Sequence, residues 1–237
     1  SGGREWTKAL TAAGMALLRN SYQMQLASRA RDAEFGRELA DLMFCFGDCR
    51  WPSEDARGLL EDVLFQRASR LLCSAAAVAS PSVTVQAPHL LACMLGDPFR
   101  LARLRQEMVH RAAAGRAHCS FAFPAPDFAA ALEQELSPPD AAAELRIVQE
   151  GRRKVEEWLE ATADGQLLAE LRQRMASNFI DGEGQASKLR RWLALTSAGL
   201  VVDNEALEVV AFFLWDTAGT VVRAALAARA RQEGAAP

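Results

Sequence analysis

The sequence predicts an all-α protein built from two similar units, and three observations carry that reading. The first is residues 53–80, framed by Pro52 and Pro81, where apolar side chains return at helical spacing: Ala56, Leu59, Leu60, Val63, Leu64, Ala68, Leu71, Leu72, Ala75, Val78 and Ala79. The second is a like stripe near the end of the sequence, through Leu207, Val210, Phe213, Leu214, Thr217, Val221 and Ala225. The third is composition: the chain is 50% hydrophobic but only 7% aromatic, rich in alanine and arginine, and without sustained strand alternation.

The first long stripe has a defined start. Ser53 is a good N-cap, and Glu54 and Asp55 place negative charge at the positive end of the helix dipole. A helix of about 27 residues at about 1.5 Å each runs about 40 Å. Ordinary globular helices have about 11 residues. Such a helix needs shorter elements across both ends to cover its stripe.

The flanking sequence supplies them. Phe35, Leu39, Leu42, Met43 and Phe46 share one helical face, and Gly47 is a natural stop. A loop over 48–52 leads into the long helix. Beyond Pro81, Val83-Thr84-Val85 reads as a brief strand, and residues 86–95 as a short helix with Leu90, Leu91 and Met94 inside. Gly96-Asp97-Pro98 ends it, and Phe99, Leu101, Leu104 and Met108 mark one more helix. In front of this unit, residues 4–31 carry a narrow stripe of Trp6, Leu10, Ala13, Leu17 and Met24. That stripe suits a helix packed on its own domain or one that docks on a partner.

Residues 113–145 are broken by Phe121-Ala-Phe-Pro-Ala-Pro and Ser137-Pro-Pro and read as a linker. Helices are expected over 141–161, with Leu145, Val148, Val155, Trp158 and Leu159 inside, and over 166–179. From Gly184 the earlier order begins again. Residues 187–193 form a short amphipathic helix, 196–202 a loop, and Asp203 or Asn204 caps a second long helix reaching about Gln232. Around Phe212 to Trp215 it is apolar on every side and should be covered from more than one direction. No third helix follows in this unit. The expected divisions are an N-terminal helix in 1–32, a first unit in 33–112, a linker with helices in 113–183, and a second unit in 184–237.

Charge and cysteine usage exclude several classes. A net charge of −3 argues against wholesale coating of nucleic acid. Five cysteines, an odd number in a long chain with no visible leader, read as reduced thiols of an intracellular protein. Cys45 and Cys49 lack the C-x2-C pairing of a zinc site, His118-Cys119 lies apart, and His89 and His110 have no ligand partner at helical spacing. They are expected to be surface or helix-end histidines. No nucleophile elbow, phosphate loop or HExxH appears, and Gly182-Glu183-Gly184 lacks strand context. No enzyme, cofactor or metal is expected. No uncharged apolar run reaches the roughly 18 residues of a membrane span, since the richest, Val209 to Trp215, stops at Asp216.

Short helix, loop, long helix, loop, short helix is the order of a histone fold. The first unit resembles the family shared by TATA-binding-protein-associated factor thirteen and the SAGA coactivator subunit Spt-three. The residues are Phe35, Glu38, Leu39, Leu42, Met43 and Phe46-Gly47-Asp48, then Glu61-Asp62-Val63-Leu64, Leu90-Leu91 and Asp97. The second unit is similar to Spt-three in Ser187-Lys188, Arg190, Trp192-Leu193, Glu205 and Asp216-Thr217. The sequence departs at Leu95 and Gly96, where family members usually carry a basic residue shortly before the Asp97 position.

The resemblance implies two histone folds forming an intramolecular pair, the second without its last helix in this sequence, with Phe35, Leu39, Leu60, Leu64, Leu71, Leu207, Val210 and Phe213 in the core. It further implies a nuclear, non-enzymatic subunit of a SAGA-like coactivator that contacts the TATA-binding protein and meets DNA only indirectly, with no membrane. A TFIID-type factor that pairs in trans and a histone-like DNA-binding protein are the rivals.

Two polar features stand out. Asp216 is a carboxylate within an apolar helix, so it needs an internal partner such as Arg190, Arg191 or Arg223, or an external one. The resemblance favours it as the acidic contact to the TATA-binding protein. Arg100, Arg103, Arg105, Arg111 and Arg116 read as a solvated helix face, or as contacts to DNA phosphates or an acidic loop.

Overall fold

The computed structural model describes residues 35–79, 84–113, 174, 179–180, 184–193, 195 and 199–234. These hold six helices and two short strands. They are α1 (Gly36–Cys45), α2 (Glu54–Ala79), β1 (Thr84–Val85), α3 (Ala87–Met94), α4 (Pro98–Ala113), α5 (Gln185–Trp192), β2 (Val201–Val202) and α6 (Asn204–Gly234). The helices expected over 4–31 and 141–161, most of 166–179, and the linker beyond Ala113 lie outside the described residues.

Local chemistry sets the element ends. At α1 the amide of Gly47 donates to Phe44 and that of Asp48 to Met43, both at 3.0 Å. Gly47 has φ +99°, the left-handed conformation that closes a helix. Ser53 Oγ accepts from the amide of Ala56 at 3.2 Å and starts α2. At α3 the amide of Gln86 donates to His89 Nδ1 at 3.0 Å, so this histidine serves a helix end. Asp97 Oδ1 accepts from the amide of Arg100 at 3.0 Å at the start of α4. At α6 the cap is Asp203 rather than Asn204, with its Oδ1 accepting from the amide of Ala206 at 2.7 Å.

α6 is the central element. It touches α1, α2, α3 and α4, and Ala206 through Leu214 are all buried. By length and composition alone α6 could cross a membrane, but most of its apolar window is covered by the other helices. The core is continuous across both units, and Phe35, Leu39, Leu60, Leu64, Leu71, Leu207, Val210 and Phe213 are all within it. Two residues of the first long stripe stand exposed instead: Leu59 at 67% and Val78 at 52%.

The strands join the two units. β1 pairs with β2 in parallel, Thr84 opposite Val201 and Val85 opposite Val202, and the amide of Asp203 donates to Val85 O at 3.2 Å. This bond brings the loop after α2 against the residues that open α6. The sequence reading placed β1 but took 196–202 wholly as loop. A two-residue strand has no alternation to read, and its pairing depends on a partner 117 positions away.

Candidate functional site: the seam between the two units

Three acidic side chains are buried where the units meet, and each is held by the opposite unit. Asp216, 2% exposed on α6, receives hydrogen bonds from Arg100 Nε at 2.8 Å and from Arg103 Nε at 2.7 Å and Nη2 at 3.1 Å. Arg100 also lies over the Phe213 ring, 4.8 Å from its centre, and 3.6 Å from Asp97. Two guanidinium groups thus supply three hydrogen bonds to one carboxylate, so both of its oxygens are paired within apolar surroundings.

Glu38 of α1 accepts from Lys188 Nζ at 2.6 Å and Gln185 Nε2 at 3.0 Å, both on α5. Burial pushes the Glu38 carboxyl up. The bonds from Lys188, its own backbone and Gln185, together with the Lys188 charge, outweigh that and hold it below its ordinary value. Glu61 of α2 accepts from the Trp192 indole Nε1 at 2.8 Å. Around these bonds Phe35 meets Phe179 and Trp192 edge-on, with ring centres 5.2 and 5.5 Å apart, and Phe65 meets Trp192 at 5.4 Å.

These placements revise two readings. Asp216 is not a surface acid available to a partner, because its carboxylate faces Arg100 and Arg103. Of the partners expected for it, Arg190 instead bonds the Val202 carbonyl and Asn204 Oδ1, Arg191 sits on the exposed side of α5, and Arg223 lies over the Phe46 ring. The basic stretch is not one solvated face either. Arg100 and Arg103 turn inward, while Arg105 is exposed.

The sequence reading quoted Glu38 and Glu61 only as motif residues and missed their bonds. A usable signal was present: each sits inside an apolar helical face, Glu38 beside Leu39 and Glu61 among Leu60, Leu64 and Phe65. It also missed Arg174. This residue lies over the rings of Phe44 and Trp51, at 4.9 and 5.1 Å, and its Nε is 3.6 Å from Asp41, which ties Arg174 to α1 and to the loop that follows it.

Among the described residues no three His, Cys, Asp or Glu side chains gather as metal ligands. Burial, reinforced by Asp41, raises the Cys45 thiol to about 11, and burial also raises Cys73 and Cys93. These three thiols stay protonated at neutral pH. His118 and Cys119 lie outside the described residues. Near the start of α2, a groove of about 300 Å³ opens between that helix and α6, lined mainly by apolar side chains, with Asp48 and Arg229 among them.

The described residues thus form a helical assembly in which those within 35–113 and those within 184–234 are joined by a parallel strand pair and three buried polar clasps. No protein-family model matches the chain, and no curated protein is significantly similar to it.

Proposed function

We propose that this chain is a tandem histone-fold protein whose two units pair head to tail, and that it serves as a nuclear, non-enzymatic coactivator subunit of the SAGA type that engages the TATA-binding protein. The observation that carries the reading is the parallel pairing of β1 with β2. It sets the loop after one long helix against the loop before the other, the register expected when two histone folds complete each other. The clasps at Asp216, Glu38 and Glu61 support it, because each joins a buried carboxylate of one unit to a donor on the other. The family resemblance supplies the rest, from the coactivator setting to the partner.

The role asks for a binding surface and no catalyst. With Asp216 turned inward, contact with the TATA-binding protein falls to other, exposed residues. Purified TATA-binding protein titrated against the folded chain tests the reading, with a parallel DNA titration from low to physiological salt. Saturable protein binding with weak DNA binding is the expected result. Tight, steeply salt-dependent DNA binding without it would assign a histone-like DNA-binding protein instead. A chain that folds only after a second histone-fold protein is added would assign the TFIID-type reading.

A further inference from the structure

The groove between α2 and α6 has a counterpart at the other end of the same two helices. There the space is filled: α3, eight residues long, packs against both α2 and α6 with Leu90, Leu91 and Met94 buried. At the open end the groove is lined by Met43, Leu59, Val63, Val221, Ala225 and Leu226, among others. Leu59 stands 67% exposed beside it. One end therefore shows what the other accepts, a helix that presents large aliphatic side chains three or four residues apart.

We propose that residues 4–31 of this chain seat their apolar stripe in that groove. Three observations select this occupant. The first is pattern: Trp6, Leu10, Ala13 and Leu17 follow at spacings of four, three and four, the spacing a helical face needs. The second is reach. α1 is about 15 Å long at about 1.5 Å per residue, and Met43 in its last turn lines the groove. The eleven residue-to-residue steps from Met24 to Phe35 extend to about 36 Å at about 3.3 Å each, more than enough to return along α1.

The third observation is charge. Residues 4–31 contain five basic side chains (Arg4, Lys8, Arg19, Arg29 and Arg31) and one acidic, Glu5. Asp48 and Arg229 both line the groove, with Arg229 3.4 Å from Glu233; in the first turn of α2 Glu54 pairs with Arg57 at 3.9 Å and Asp55 stands one turn ahead of Leu59, so carboxylates outnumber basic groups around the groove. A tethered segment also acts at high effective concentration, so a modest apolar contact suffices.

The test uses the full chain with a benzoylphenylalanine photocrosslinker in place of Leu59, and a second protein carrying it in place of Val78 as the control. Both positions are exposed, so neither replacement removes a buried contact. Irradiation followed by peptide mapping should give intramolecular crosslinks from position 59 to peptides of residues 4–31, and none of these from position 78. The crosslinks should disappear when Leu10→Glu and Leu17→Glu are introduced together, with the far-ultraviolet circular dichroism of the core retained. Crosslinks between copies, crosslinks only to other parts of the chain, no crosslink at all, or insensitivity to the double substitution would each overturn the proposal.

Discussion

Arg103 holds Asp216 through two hydrogen bonds, Nε to Oδ1 at 2.7 Å and Nη2 to Oδ2 at 3.1 Å, across 113 residues of sequence. The carboxylate is almost wholly buried, whereas the Arg103 side chain keeps 24% of its surface in water. The arginine can be solvated without the aspartate far more easily than the reverse. Asp216→Ala removes the buried charge but strands the inward-turned guanidinium groups. Arg103→Ala leaves Asp216 with Arg100 alone. Breaking a buried pair from one side costs about 3–5 kcal/mol, with the partial exposure of the arginines placing this one toward the lower end. Urea unfolding of the two single variants and the double should give a coupling energy well above the roughly 0.2–1 kcal/mol of exposed pairs. Strict additivity would mean that the pair does not join the units.

Leu60 and Val78 lie on the same helix and in the same sequence stripe, yet Leu60 is 3% exposed and Val78 52%. Leu60→Asp buries an unpaired carboxylate in the continuous core, which exceeds the stability of most domains when added to the lost packing. It should abolish cooperative unfolding and the native circular dichroism signal. Val78→Lys, near the negative end of the α2 dipole, should change stability by no more than about 0.5 kcal/mol. Equal effects at the two positions would contradict the burial of this helix.

Gly219 lets α1 and α6 come close. A Cβ at this position would sit 2.7 Å from Phe46 Cε1 and 2.8 Å from its Cζ, closer than side chains pack. The Phe46 ring is itself held against Trp215, with ring centres 5.3 Å apart, so it has little freedom to withdraw. Gly219→Ala should therefore destabilise by about 1–3 kcal/mol despite the better helix propensity of alanine. Phe46→Leu in the same chain should recover part of that loss in the thermal midpoint. A Gly219→Ala protein more stable than the parent would show that the helices can separate freely.

The long helices were legible because their signals are local. The stripe from Ala56 to Ala79, the Ser53 cap and the Gly47 stop need no distant partner to be read, and each falls within a residue or two of the structure. The eight expected core residues are buried for the same reason. The seam was less legible because its chemistry is nonlocal. Asp216 was recognisable as a carboxylate in need of a partner, but helical periodicity does not say which of the many arginines turns toward it. Nearby choices on α5 and α6 were the natural ones, and the structure uses α4 instead. β2 was hidden by brevity. Leu59 met every local criterion for burial and stands on the rim of a groove.

Glu38 gives the seam a pH dependence whose sign is fixed by its surroundings. Its carboxyl is held below its ordinary value of 4.5 in the folded chain, so the folded state favours the ionised form relative to the unfolded one. The associated stability is fully present above 4.5 and is lost as the pH falls through the lower folded value. Glu38→Gln keeps the shape and can still accept from Lys188, but it removes the titrating group. Thermal unfolding followed from pH 7 down to pH 3 should show the parent losing stability more steeply than Glu38→Gln in the acid limb. At neutral pH the variant should be the less stable of the two, because it lacks the ion pair with Lys188. The two curves should converge as the pH falls. Parallel curves across the whole range would mean that the Glu38–Lys188 bond contributes no proton-linked stability.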